Sequence, residues 1–259
     1  MSILTMPNWN GQAIQVATSR GGVFAVCDPW AGLIRGGVEP WPPPELVQKL
    51  YQSHQASAFD PSEQAVIKAS LGHYTDLQSL HSEDALTWSL FGPLVYAAPD
   101  VRAVYASNLI NLCTEEAVPV SESHIWLWRR LPHPDTLVSG GPEIDFAIQT
   151  STTLVLGEAK WRSHIGQGQG KDGSKDQLQL RVEFCQKYGK YIYPGVQRFI
   201  ILLVSDDPTP LTAPQRALGN EDTHVVATTW KHLGDLLQAP LKDEFDRYLE
   251  WKRAHSKPK

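Results

Sequence analysis

The stretch GPEIDFAIQTSTTLVLGEAKW, residues 141–161, sets Asp145, Glu158 and Lys160 into what otherwise reads as two apolar strands and a polar turn. Side chains alternate between the faces of a strand. Ile144, Phe146 and Ile148 therefore share one face, and Glu143, Asp145 and Ala147 share the other. In the following strand Leu154, Leu156, Glu158 and Lys160 fall together. If a two-residue loop of Ser151 and Thr152 aligns Gln149 with Leu154, Asp145 faces Glu158, with Cβ atoms roughly 5 Å apart; a three-residue loop would move the register by one position. Two like charges placed opposite each other destabilise a hairpin, and apolar surroundings strengthen the repulsion. Mg²⁺ would offset it, because that ion takes carboxylate oxygens and keeps waters for a substrate phosphate. Lys160, two residues beyond Glu158 on the same side, could hold an attacking water or stabilise negative charge building on phosphorus. The plainer alternative is an ion-pair cluster in which Lys160 neutralises one carboxylate and water solvates the other.

The elements around this hairpin narrow the choice. Segments 44–54, 61–74, 82–94 and 100–112 carry apolar residues at three- and four-residue spacing and read as helices. Before them, residues 12–19 and 21–27 read as a small hairpin, followed by the proline run EPWPPPE, residues 39–45, which reads as an extended spacer before a helix starting near Glu45. After residue 114 the period changes. SHIWLWRRL, PEIDFAI and TLVLGEAKW read as three strands; SKDQLQLRVEFCQKYG reads as a helix that stops at Gly189; QRFIILLVS is a buried strand by its continuous apolar run; THVVATTW is a further strand with the helix WKHLGDLL behind it. KDEFDRYLEWKRAH reads as a polar terminal helix. The order helices, three strands, helix, two strands, helix implies an α/β sandwich around a mixed sheet.

Pro142, Glu143, Ile144 and Asp145 followed by Glu158, Ala159 and Lys160 resemble the motif of the PD-(D/E)xK nuclease superfamily. The core of that superfamily is a helix, a three-stranded meander, a helix and another strand. The resemblance covers about residues 80–238, and here two residues separate the proline from the aspartate. It implies a restriction-endonuclease-like α/β/α core around a mixed central sheet, preceded by a mostly helical N-terminal extension. The corresponding division is residues 1–79 for the extension and 80–259 for the nuclease-like domain. It also implies a Mg²⁺-dependent phosphodiesterase, with Mn²⁺ as a substitute, acting on nucleic acid. DNA is preferred to RNA because the family leans that way. Asp145 and Glu158 would bind the metal, the Ala159 carbonyl would complete the site, and Lys160 would assist the water. A glutamate on the helix before the meander reaches the metal in similar nucleases, which points to Glu83; its neighbour Asp84 is expected in solvent. RecB-like relatives carry Gln and then Tyr four residues later on the helix after the meander. Here the pair is Gln177 and Arg181, a departure from that pattern.

Phosphate contacts need cations near the metal. Between residues 159 and 190, seven Lys and Arg face three acids, a local excess of four positive charges in a chain of net charge −5. Arg162, Lys171, Lys175, Arg181 and Gln177 are the candidate nucleic-acid contacts. The alternative for the glycine-rich part of this window is a surface loop with scattered lysines. A whole-chain basic nucleic-acid binder is excluded by the charge. GQGQGK fails the phosphate-loop pattern, because Ile165 and Asp172 stand where that pattern does not allow them. Nine histidines show no zinc-binding spacing, and no GxSxG occurs. Three widely separated cysteines argue for a reducing interior. With no apolar run of membrane length and no signal-peptide pattern in MSILTMPNWN, the expected setting is cytoplasmic, without a membrane partner. A homodimer would suit double-strand cutting. The rival reading is a catalytically silent DNA-binding or protein-interaction subunit of a larger complex.

Overall fold

The loop of Ser151 and Thr152 reverses the chain in two residues. The Thr150 main-chain amide donates to the Thr153 carbonyl at 2.8 Å, and the Thr150 hydroxyl accepts from the Thr153 amide at 2.9 Å. A two-residue loop holds an antiparallel pair in one register, and this one joins the strands that carry the candidate acids. The computed structural model describes residues 3–18, 22–51, 76–135, 141–163, 165–166, 173–206 and 211–256. The helix expected at 61–74 lies outside these residues. In chain order the main elements are β1 (Ile3–Pro7), β2 (Ala13–Thr18), β3 (Phe24–Val26), α1 (Pro44–Tyr51), α2 (Glu83–Val95), α3 (Pro99–Thr114), β4 (His124–Arg130), β5 (Glu143–Gln149), β6 (Thr153–Ala159), α4 (Gln177–Phe184), β7 (Arg198–Ser205), β8 (Thr223–Thr229), α5 (Trp230–Asp235) and α6 (Leu241–His255). The chain is mixed α/β and forms two compact units, residues 1–93 with 243–259, and residues 94–242. This grouping differs from the division at residue 79 expected from the sequence.

The second unit is built on a five-stranded sheet whose strand order follows the chain, β4-β5-β6-β7-β8. The first two pairings are antiparallel and the last two parallel. A parallel pair needs a crossover, and α4 lies in the one between β6 and β7. Every residue of β6 is buried, as a central strand covered on both faces requires. Ala147, Leu154, Leu156, Ile201 and Leu203 join Leu178, Val182 and Phe184 of α4 in one core.

α4 begins at Asp176, whose carboxylate caps the Gln179 amide at 2.8 Å. It does not stop at Gly189. It passes into a π-helical turn at Cys185–Gly189 and a further turn at Lys190–Ile192. Gly189 has helical backbone angles and lies under the Phe199 ring, where a Cβ would come within 2.6 Å of a ring carbon. The glycine permits close packing there rather than ending the helix.

The first unit holds a three-stranded antiparallel sheet, β1-β2-β3. β2 and β3 are the expected hairpin, and β1 adds a strand that the sequence reading missed. The described part of residues 1–79 is therefore this sheet with α1 and short 3₁₀ turns, rather than mostly helix. α6 is not a polar helix: Phe245, Tyr248, Leu249 and Trp251 are buried. The Tyr248 hydroxyl donates to the Gly32 carbonyl at 3.0 Å, and Trp251 Nε1 donates to the Pro7 carbonyl at 3.0 Å. Among the described residues no helix is long and apolar enough to cross a membrane.

Candidate active site

β5 and β6 pair with Gln149 opposite Leu154 and Phe146 opposite Gly157. The paired register ends there, one residue short of Asp145 and Glu158. Gly157 is needed at its position, since a Cβ there would lie 2.1 Å from a Phe146 ring carbon. The ring thus covers the strand beside Glu158. Asp145 is half-buried, and its Oδ2 accepts from the Ala159 main-chain amide at 2.7 Å. The aspartate is tied to the backbone between Glu158 and Lys160.

The main chain of Lys160 is fixed on two sides. Its amide donates to the Val204 carbonyl at 2.8 Å, and its carbonyl accepts from Trp230 Nε1 at 3.0 Å. Its ammonium lies 2.5 Å from Glu158 Oε1. Glu158 is 1% exposed and Lys160 is 6% exposed, so little water screens the pair. The other Glu158 oxygen is ion-paired with the Arg181 guanidinium. Asp145, Glu158, Lys160 and Arg181 carry two charges of each sign.

Two of the three non-glycine residues with positive φ among the described residues flank this quartet. Trp128, φ 51°, falls between the pairs Leu127–Phe146 and Arg129–Ile144, at the level of Asp145. Arg162, φ 54°, follows two residues after Lys160 and lies over the Trp161 ring at 5.4 Å. A bulky residue at positive φ is a true outlier. Held strain of this kind clusters where a site fixes its geometry.

The other expected contacts are placed differently. Arg181 is fully buried and faces Glu158 rather than solvent. The Gln177 side-chain oxygen accepts from the Gly166 amide at 2.7 Å, and the Gln177 amide donates back to the Gly166 carbonyl at 3.2 Å, so Gln177 clamps the preceding loop. Lys175 pairs with Glu183 at 2.6 Å and Asp135 at 3.3 Å. The hydrogen bond it donates to Glu183, opposed by burial and reinforced by Asp135, raises its ammonium above the usual lysine range. Lys187 and Lys190 pair with Asp135 and Asp222 at 3.5 and 2.5 Å. Acids from outside the basic window thus take up much of its excess charge. Half-buried Arg162 is the expected cation next in sequence to Lys160. Lys171 lies outside the described residues.

Glu83 belongs to the first unit, apart in the chain's division from Asp145, Glu158 and Lys160. It is half-buried in the first turn of α2. Asp84, expected in solvent, is buried and pairs with Lys49 at 3.3 Å. The sequence reading did not find the role of Arg181 as the partner of Glu158. Its signal was weak: the stripe of Gln177, Arg181 and Phe184 shows which face of α4 turns inward, but not which acid waits there.

No protein-family model, curated protein or solved structure matches the chain. Among the described residues no group of three or more His, Cys, Asp or Glu side chains could hold a metal. That donor set does not suit a closed zinc cage, which takes four ligands. It does suit Mg²⁺, which is held by one or two carboxylates and keeps several waters. Asp145, Glu158 and the Ala159 carbonyl are hard oxygen donors of that kind, on adjacent strand positions.

Proposed function

We propose that the chain is a Mg²⁺-dependent nuclease of restriction-endonuclease-like fold, hydrolysing phosphodiester bonds of DNA in a defence, restriction or repair setting. The observation that supports this reading is the Asp145 carboxylate bonded to the Ala159 amide, between Glu158 and Lys160, with the Lys160 ammonium 2.5 Å from Glu158. Support also comes from the sequence of a meander, a helix and a parallel strand.

Asp145, Glu158 and the Ala159 carbonyl would hold the ion, which when bound supplies Lewis-acid polarisation of a phosphoryl oxygen and an activated water. The residues of the chain do the rest. The amide of Ala159 fixes Asp145 in direction. Lys160, anchored through its own backbone by Val204 and Trp230, presents an ammonium that orients the attacking water and neutralises charge gathering on phosphorus. Arg162, two residues beyond Lys160, would contact the flanking phosphate.

The test is supercoiled plasmid incubated with Mg²⁺ or Mn²⁺, with and without chelator, beside Asp145→Ala. Metal-dependent nicking that falls roughly a hundredfold or more in the variant is expected, the scale seen when one preorganised electrostatic partner is lost. Nicking that survives in Asp145→Ala or persists in chelator sinks the assignment.

A second reading draws on Arg181. Glu158 already has a cation at each oxygen, so the quartet is balanced without an ion. That arrangement favours a nuclease fold that binds DNA or a protein partner without cutting. Plasmid retained but never nicked selects the DNA-binding form, and plasmid neither cut nor retained selects the protein-interaction form.

A further inference from the structure

Arg181 is fully buried, and its guanidinium is fixed at three points. Nη1 donates to the Gln177 carbonyl on its own helix at 2.8 Å. Nη2 donates to the Glu143 carbonyl on β5 at 2.7 Å and pairs with Glu158. Lys160 holds the opposite Glu158 oxygen. The two cations differ in kind. Lys160 is a point charge on a flexible stem and can turn toward a water or a phosphate. Arg181 is a rigid fork held by main-chain carbonyls from two different elements. Turning it away would give up both of these bonds and leave a charge buried and unmatched.

We infer that Arg181 is the resident counter-charge of this site. It lets the buried Glu158 carboxylate exist in the folded chain with no divalent cation bound, and by occupying one Glu158 oxygen it weakens cation binding at the other. The inference rests on the proposed metal site and concerns how tightly that site is held open to its ion. An arriving cation meets a guanidinium a few ångströms away where water is scarce, and repulsion there is strong. Arg181 also helps to hold the rotamer of Glu158, which acts in the opposite direction. That contribution is the smaller one. Glu158 sits on a fully buried strand with Gly157 locked under Phe146, and its neighbour Lys160 is bonded to β7, so its place does not depend on Arg181 alone.

The test uses the full chain and Mn²⁺ as the probe, read by calorimetric titration and by thermal unfolding with and without the ion. Arg181→Met should bind Mn²⁺ roughly tenfold or more tighter than the wild type, since it removes the repelling charge and keeps bulk. It should be less stable than the wild type without Mn²⁺ and gain more from adding it. Arg181→Lys, which keeps the charge, should stay within about threefold of the wild-type affinity. Binding by Arg181→Met that equals or falls below wild type overturns the inference and leaves the metal site standing. No binding by the wild type or either variant removes the metal site and the inference together. Binding by Arg181→Met alone upholds the inference and shows the wild-type site closed to the ion. If Arg181→Met folds under neither condition, the double variant Arg181→Met with Glu158→Gln decides. Its folding traces the defect to the unmatched Glu158 charge and upholds the inference; its failure makes Arg181 a packing element and overturns it.

Discussion

Each unit buries a lysine beside acids, and the two lysines are treated differently. In the second unit Lys160 lies against Glu158, and Arg181 matches the other oxygen of that carboxylate. In the first unit Lys252 is fully buried and donates to the Ser82 carbonyl at 2.9 Å. There burial pulls the ammonium down to about 7, and the charges of Asp84 and Glu83 only partly oppose it. Asp84 is shared with Lys49, and Glu83 is half-buried, so its field is weakened by water. Counting acids near a lysine therefore does not say whether its charge survives burial. The Lys160 cluster is a matched set with cations on both oxygens of one acid; at Lys252 burial outweighs the charges of the acids.

The largest expected effect tests the matched set. Glu158→Ala leaves Lys160 and Arg181 buried without their shared carboxylate and should destabilise the chain by about 3–5 kcal/mol, measured by urea unfolding. A loss under about 1 kcal/mol would mean that the two cations are solvated after all, and the contrast with Lys252 would collapse. Next in size is the pH response of Lys252. Its folded value, about 7, lies below the unfolded 10.5. Between these values the unfolded chain binds a proton that the folded chain does not, so stability rises as pH rises through that window and levels above it. From pH 7 to pH 9 the gain is about 2 kcal/mol. Lys252→Met should be flat across the same range. An equal rise in the variant would assign the slope to other groups.

The residues themselves show where sequence reading works. The register of Gln149 with Leu154 was legible because one short loop, Ser151 with Thr152, joins two strands whose faces alternate. The apolar run of β7 was legible for the same local reason: a continuous stretch announces a strand covered on both faces. Arg181 was not legible, since its partners Glu143 and Glu158 are 38 and 23 positions away and meet it only once α4 crosses the sheet. The basic window misled in the same way. Asp135 and Asp222, which engage Lys175, Lys187 and Lys190, lie outside it. Asp84 looked solvated as a first-turn acid, and only Lys49 from α1 explains its burial. α6 was legible in principle, because Phe245, Tyr248 and Leu249 follow helical spacing, but its many charges hid the stripe. Local patterns fixed elements and register, while charge pairing depended on chain segments far apart.

The smallest expected effect comes from a third lysine, which sets the scale for the other two. Lys175 has direct carboxylate partners, as Lys160 does, in Glu183 at 2.6 Å and Asp135 at 3.3 Å. It differs in being near the surface, with its side chain 17% exposed. Water and salt screen such a pair, and ordering two long side chains offsets much of the attraction. Lys175→Ala should therefore move the thermal midpoint by less than about 4 °C, and by less still in high salt. If calorimetry instead finds a loss as large as that of Glu158→Ala, and one that salt does not reduce, then burial does not set Lys160 apart from Lys175. The matched quartet would then be one ion-pair cluster among several, and its dryness would no longer mark it out as a site.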